Sequence, residues 1–127
     1  MITRGTTPYH SFIIPLLKED IDTIFITYLQ NEEIIIEKEK EDMTFENLVD
    51  ILVEDGVDIE EIPDEEKNSC QANIHLTQED TLKFHFYPAA KRNIAIIQVR
   101  VKSMDGEAYS SDPVHERIMG VLKDGEI

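Results

Sequence analysis

Residues 93–109, NIAIIQVRVKSMDGEAY, are the stretch that decides the fold class. From Ile97 onward, apolar and polar side chains alternate, which is typical of a strand with one face in a core and one in water. Asp105-Gly106 then supplies a backbone pair that tolerates positive φ, so we predict a tight two-residue hairpin turn. Because a half-buried hairpin needs further strands around it, the pattern predicts a larger antiparallel sheet.

The length and composition indicate one domain spanning residues 1–127. The single cysteine, Cys70, excludes an internal disulfide framework and favours a reducing compartment or a virion. The start MITRGTTPYH has no charged segment followed by an apolar one, so we expect no secretory signal. The apolar runs are too short to cross a bilayer. We therefore expect a soluble protein that is made inside a cell and has no membrane contact.

The net charge of −15 argues against a basic surface for nucleic acid or anionic membrane. Residues 32–66 hold sixteen acids and two lysines, so sixteen less two places −14 of the imbalance in this one segment. The rest of the chain is close to neutral. The acidity belongs to this one segment, which includes most of an acidic helix and loop insertion at residues 43–69, and not to the whole fold.

Four further segments have the composition of strands. Tyr9–Ile14 stops at Pro15, and residues 21–29 are apolar on both faces, which predicts a central strand covered on both sides. Asn31-Glu32 predicts a hairpin turn into residues 33–40, with Ile34 and Ile36 facing inward. Residues 71–77 alternate again, and TQED at 77–80 has the form of a capping box that begins one helical turn. Residues 1–7 have the composition of a polar arm.

The spacing of the apolar residues changes in the middle of the chain. Phe45, Leu48, Val49 and Leu52 recur at helical spacing, with Thr44 as a candidate cap, so we predict one short helix at 45–54. The acidic stretch that follows predicts an exposed loop. The last element, 113–122, fits a helix or a strand by periodicity alone. Six or seven strands with turns between them predict a mainly β fold, a two-layer antiparallel immunoglobulin-like β-sandwich with the helix inserted.

The start MITRGTTP, the turn HLTQEDTLKF and the hairpin IQVRVKSMDGEAYSSD resemble small proteins of phages and prophages of Gram-positive bacteria. The resemblance covers residues 1–42 and 70–127. It implies a protein of the tail or baseplate region, with a distant likeness to the N-terminal β-sandwich domain of baseplate upper proteins. It also implies a strand for the last element. The 43–69 segment departs from this group, which connects strand to strand with a short turn.

No catalytic or metal-binding pattern stands out, so we predict a protein that is not an enzyme and uses no cofactor. Calcium is disfavoured because placing Gly56 at the sixth loop position puts Ile51 at the first, although Asp58, Glu60, Glu61 and Asp64 leave an irregular site open. Cys70, His75 and His85 match no standard zinc spacing. Ser110, Ser111, Asp112 and His115 lie too close along one hairpin arm to converge around a substrate, and no nucleophile elbow is present.

Two functional hypotheses follow. In the first, the protein is a phage or prophage structural protein that contacts other structural proteins, and it is a possible homo-oligomer. Its basic residues Arg100 and Lys102, preceded by Lys91 and Arg92, would then dock the acidic residues Asp58, Glu60 and Glu61 of a neighbouring copy. In the second, the protein is a phage-encoded acidic inhibitor whose carboxylates imitate nucleic acid and block a host nucleic-acid-binding protein.

Overall fold

The computed structural model describes residues 1–89 and 93–120, which form a mainly β fold, as the sequence predicts. The strands are β1 (Ile2–Thr3), β2 (Tyr9–Ile14), β3 (Ile21–Gln30), β4 (Glu33–Glu39), β5 (Met43–Asn47), β6 (Cys70–His75), β7 (Ile94–Ser103), β8 (Ala108–Ser110) and β9 (Val114–Met119). The helices are α1 (Leu48–Glu54), α2 (Asp64–Lys67) and α3 (Gln78–Leu82).

These strands form two sheets. The larger sheet has the order β1-β9-β7-β3-β4, with β8 also paired to β7, and the smaller sheet has the order β2-β6-β5. One cluster of buried side chains takes members from both, for example Ile26 and Val99 of the larger sheet and Ala72 and Ile74 of the smaller one. The alternation of apolar residues along β3, β6 and β7 thus becomes one shared core.

The hairpin predicted in residues 93–109 joins β7 to β8, but its loop is not a two-residue turn. Gly106 has a φ of 87° and its N–H donates to the Ser103 carbonyl, whereas Asp105 keeps a negative φ. The Ser103 N–H in turn donates to the Glu107 carbonyl at 2.8 Å. The loop therefore has three residues, with Gly106 alone in the left-handed region, which is the other common solution for a twisted hairpin.

The turn between β3 and β4 is confirmed. Asn31 and Glu32 have φ values of 53° and 67°, the pair of left-handed residues that a tight hairpin turn requires. A register shift between Tyr28 and Leu29 follows, so Ile36 is buried while Ile34 is 57% exposed. The expectation that both isoleucines face inward was wrong, because this bulge moves Ile34 to the opposite face.

Replacing Glu32 with glycine should stabilise the protein by about 0.5–1 kcal/mol, because a non-glycine residue in this conformation is strained. Glu33→Gly is the matched control: it removes the same charge but places glycine in a strand, which should cost about 0.5–1 kcal/mol. Urea denaturation measures both changes. An equal effect of the two substitutions would contradict the strain at position 32.

The predicted helix at 45–54 begins three residues late, at Leu48. Residues 43–47 instead form β5, which pairs with β6 in the register Met43↔Ile74 to Asn47↔Cys70. Thr44, the expected cap, lies in this strand. Pairing with β6 satisfies the backbone and buries Met43, so tertiary contact overrides the helical spacing.

The exposed loop expected after α1 contains a 3₁₀ turn at Ile59–Glu61 and the helix α2, so the chain has more helix than the single element predicted. Ile62 is 3% exposed between these turns. The Ser69 carbonyl accepts the Leu48 N–H at 3.0 Å, which holds both ends of the segment together. The acidic insertion is therefore folded, while its carboxylates point into water.

The N-terminal residues are a strand and not only a polar arm. Ile2 is fully buried, and β1 pairs with β9 in parallel, the one departure from antiparallel pairing among the described strands. Gly5 N–H donates to Thr81 Oγ1 at 3.0 Å and Thr81 Oγ1 donates to the Thr6 carbonyl at 2.8 Å. β9 confirms the strand expected in the last element, and the end of that prediction, residues 121–122, lies outside the described residues.

The capping box is confirmed. Thr77 Oγ1 accepts the Asp80 N–H and Asp80 Oδ2 accepts the Thr77 N–H, which begins α3 between the two sheets. Phe84, just past the helix, is 1% exposed. The helix thus carries the chain from β6 in the smaller sheet to β7 in the larger one, as the sequence predicts.

Candidate interaction surfaces

The predicted contact residues all lie at the surface, but on separate elements. Arg100 and Lys102 project from the polar side of β7, and the Arg100 guanidinium lies 5.5 Å from the centre of the Phe25 ring. Asp58, Glu60 and Glu61 lie in and just before the 3₁₀ turn of the insertion. Within residues 1–89 and 93–120, no ion pair joins these two groups. Lys91 and Arg92 lie outside the described residues.

The side of the larger sheet that faces away from the core forms a surface that we call the outer face. β3 was expected to be covered on both sides, yet on this side Phe25 and Leu29 are only half-buried and Ile96 is 37% exposed. Among the described side chains on this side, Thr27 is buried at 5% exposure between its neighbours, whereas Thr23, Ile34 and the charged residues are exposed. The outer face comprises Thr23, Phe25, Thr27, Leu29, Ile34, Glu37, Glu39, Ile96, Gln98, Arg100 and Lys102.

The strand register arranges the outer face in cross-strand rows. Phe25 pairs with Arg100 on one side and Glu39 on the other. Side chains of directly opposed residues lie on the same side of a sheet, so each pairing gives one row. The rows are Arg100–Phe25–Glu39, then Gln98–Thr27–Glu37, then Ile96–Leu29–Ile34.

Two surface pockets flank Phe25 on the outer face. One, of about 320 Å³, is lined by Arg100 and Lys102 together with Tyr109 and Ser110 of β8. The other, of about 130 Å³, is lined by Glu39 and Glu41 and also by Lys40, whose ammonium group donates to the Ile21 carbonyl. The basic and acidic sides of the outer face are therefore separated by the central strand β3.

A second surface is the free edge of β2, which among the described strands pairs with β6 alone. The Leu76 N–H donates to the Pro8 carbonyl at 3.0 Å, and hydrogen-bonded pairs alternate along an antiparallel ladder. Tyr9, Ser11 and Ile13 therefore turn their backbone N–H and C=O groups away from β6. No charged residue protects this edge between Tyr9 and Ile14, whereas the β4 edge carries Glu33, Glu37 and Glu39.

Open grooves run beside the β2 edge. A groove of about 300 Å³ lies between Ile13 and Ile14 on one side and Val99, Val101 and Tyr109 on the other. A second groove, of about 270 Å³, lies next to Tyr9 and Phe12 and is lined by Ile97 and Val114. Both grooves are mainly apolar and lie where the edge of the smaller sheet meets the β7–β9 side of the larger one.

A partly buried hydrogen bond connects the two sheets near these grooves. Tyr28 Oη of β3 and His10 Nδ1 of β2 are 2.6 Å apart, and their rings stack at 5.7 Å. Burial lowers the pKa of His10 below its usual value, although Glu116 acts in the opposite direction. Burial also raises the pKa of Tyr28, and Asp80 and Glu116 add to that increase. Both rings are therefore neutral at pH 7.

A buried ion pair links the larger sheet to α3. Lys38 Nζ lies 3.0 Å from Asp80 Oδ2, and the two side chains are 19% and 9% exposed. Burial raises the pKa of Asp80, but hydrogen bonds from Thr77 and the charge of Lys38 together outweigh burial and hold this pKa below its usual value. This carboxylate therefore pins α3 against β4 in its charged form.

The residues considered for catalysis or zinc binding do not come together. Cys70 lies on the inner face of β6 and is fully buried, whereas His75, on the opposite face, stacks on Tyr9 at 4.0 Å. Burial raises the pKa of the Cys70 thiol to about 11, with Glu19 adding to the increase, so the thiol is protonated at neutral pH. His85 is next to Tyr87, after α3.

Neither the hydrolase-like residues nor the acidic insertion forms a compact site. Ser111 Oγ accepts the Val99 N–H at 3.0 Å, and Ser110 Oγ accepts a hydrogen bond from Gln98. Across the described residues, no group of three or more histidines, cysteines or carboxylates has the geometry to hold a metal ion. No described helix has the length and apolar character to cross a membrane.

Sequence reasoning missed the outer face and the free β2 edge. The signal for the outer face was present in the second apolar row of β3, Phe25 and Leu29, which we assigned to a covering layer. The lack of charge in YHSFII was the corresponding signal for the edge. No family model matches the chain, and no curated protein or solved structure matches it.

Proposed function

We propose that the protein is a non-enzymatic structural protein of a phage or prophage, which acts through protein–protein contact in a tail or baseplate assembly. The sequence resemblance supports the phage assignment, and its place of action is then the virion or the host cytoplasm. An immunoglobulin-like sandwich belongs to the same proposal, and the two sheets around one core support it. The parallel β1–β9 pair is its main departure from that type.

The free β2 edge is the observation that carries the contact function. Its three outward residues present unpaired backbone donors and acceptors, and Tyr9 and Ile13 are 75% and 60% exposed. An extended segment that pairs with β2 gains main-chain hydrogen bonds, and the adjacent apolar grooves accept its side chains. The occupant is an extended, alternately apolar segment of a neighbouring structural protein.

Ser11→Pro should prevent this pairing without unfolding the chain. Proline removes the outward N–H at the centre of the edge, while the bonds from β2 to β6 stay intact because they use the flanking residues. Incorporation into purified particles, measured by quantitative mass spectrometry, should fall at least about tenfold, the equivalent of about 1.4 kcal/mol.

Ser11→Ala is the matched control, because both variants lose the hydrogen bond from Ser11 Oγ to Asn73. Circular dichroism and thermal denaturation check that both variants fold. If the wild-type protein is missing from intact particles, the assembly function is contradicted. If both variants enter particles like the wild type, the assembly function survives but the β2 edge is not the contact.

The acidic inhibitor is the second candidate function. The observation in its favour is that the carboxylates of the insertion lie on ordered helical turns, a fixed arrangement that a mimic of phosphate requires. Affinity purification from the host should then recover a nuclease or polymerase that duplex DNA displaces. The combined variant D58N/E60Q/E61Q should lose that binding, and its retention would contradict mimicry.

A further inference from the structure

The outer face is mostly exposed, with Thr27 alone buried among its described residues, although its central strand carries apolar side chains. Phe25 and Leu29 are half-buried, and Ile34 and Ile96 are more exposed. A half-apolar sheet face of this kind is normally packed against a second layer. The described chain supplies that layer only on the inner side, so the outer face has room for a partner.

The two sides of the outer face carry opposite charges. Arg100 and Lys102 lie on the β7 side, Glu37 and Glu39 lie on the β4 side, and Phe25 lies between them. The charged groups of Arg100 and Lys102 form no ion pair within the described residues, nor do those of Glu37 and Glu39. A partner with acidic side chains opposite β7 and basic side chains opposite β4 would match this pattern. The outer face of a second copy presents both kinds of side chain in this arrangement.

We propose that the outer face binds the outer face of a second copy of this chain, around a two-fold axis parallel to β3. This rotation places β3 on β3 and β7 on β4 of the second copy, and it keeps each row at its own level. Arg100 then faces Glu39 of the second copy, Gln98 faces Glu37, and Ile96 faces Ile34. Phe25 meets Phe25 close to the axis.

The charges also decide against the other face-to-face arrangement. An axis across the strands would place β7 on β7 and reverse the rows, so Arg100 would face Ile96 of the second copy. Acidic β4 would then lie against acidic β4. Like charges across an interface cost several kcal/mol, so the axis parallel to β3 is favoured.

The contact area is small, since the rows span only the three strands β7, β3 and β4. Such interfaces fall at the low end of the usual size range, below about 1,200 Å² in total. The dimer therefore forms in a concentration-dependent equilibrium, and salt weakens it because its charges lie near solvent. This contact uses a different surface from the β2 edge, so each proposal is tested without the other.

Charge reversal tests the pairing. In a dimer of the Arg100→Glu variant, a carboxylate faces Glu39 at both symmetry-related contacts. In a dimer of the Glu39→Arg variant, a guanidinium group faces Arg100 at both contacts. Each variant alone should dimerise at least tenfold more weakly than the wild type in sedimentation velocity at low salt. An equimolar mixture of the two should recover dimers, because both contacts in the mixed dimer again join Arg to Glu.

Lys83→Glu and Glu66→Arg are matched controls, since they make the same charge changes at exposed positions away from the outer face. Glu37→Arg provides a second acidic-side variant, because the Glu39 side chain also accepts the Asp42 N–H in the capping box of the Lys40–Asp42 turn. The neutralising variant D58N/E60Q/E61Q should leave the dimer unchanged if Glu39 is the partner of Arg100. The proposal is overturned if the wild type stays monomeric at every concentration, if the single reversals have no effect, if mixing restores nothing, or if the neutralising variant abolishes dimers.

Discussion

Asp80→Ala should lower the free energy of unfolding by about 2–3 kcal/mol, because it leaves the mostly buried ammonium group of Lys38 without its partner. The same substitution removes the acceptor for the Thr77 N–H at the start of α3, which by itself is worth about 1 kcal/mol. Both losses act at the point where α3 packs on β4. Urea denaturation followed by circular dichroism measures the change.

Two variants separate these contributions. Asp80→Asn keeps an oxygen that accepts the Thr77 N–H and loses only the charge, so it should cost less than Asp80→Ala by roughly the value of the cap. The double variant K38M/D80N buries no charge and should recover most of the lost stability. If K38M/D80N is as unstable as Asp80→Ala, the buried charge is not the cause.

The same pair gives a pH dependence. The folded-state pKa of Asp80 is below the unfolded value of about 3.9, so the pair contributes its full stabilisation above that value. This contribution is lost as the pH falls through the folded pKa. The difference in unfolding free energy between the wild type and Asp80→Asn should therefore shrink below about pH 4, and a constant difference from neutral to acid pH would contradict the assignment.

Tyr28→Ala should cost about 3–5 kcal/mol, since it opens a cavity at the centre of the core. Tyr28 is fully buried, stacks on His10 of the smaller sheet and meets the Phe84 ring at 6.1 Å. The side chain therefore joins three parts of the structure: β3, β2 and the segment after α3. Thermal and urea denaturation should both show the loss.

Tyr28→Phe isolates the hydroxyl group. It keeps the ring contacts but removes the hydrogen bond to His10 Nδ1, so it should cost only about 1–2 kcal/mol. Tyr109→Ala on the edge strand β8 is the exposed control, with an expected change within about 0.5 kcal/mol. Equal losses for Tyr28→Phe and Tyr28→Ala would mean that the hydroxyl, and not the packed ring, stabilises this region.

Local sequence was sufficient for four of the strands. β6 and β7 lie where the period-two pattern places them, β2 and β3 lie where strand-forming residues cluster, and the capping box at Thr77 forms as predicted, because these signals depend on backbone preference and side-chain burial. The Asn31-Glu32 turn has the same local origin. Mainly β character therefore follows from the sequence by itself.

Tertiary structure decided the features that depend on partners distant in sequence. Pairing with β6 makes residues 43–47 a strand despite their helical spacing, and the bulge at Tyr28/Leu29 turns Ile34 outward. Contact with β9 buries Ile2 in an otherwise polar arm. Local patterns specify which side chains prefer burial, whereas strand pairing determines which strands have free edges and which rows of side chains share a face. The two candidate interaction surfaces are therefore determined by strand pairing and not by local sequence patterns.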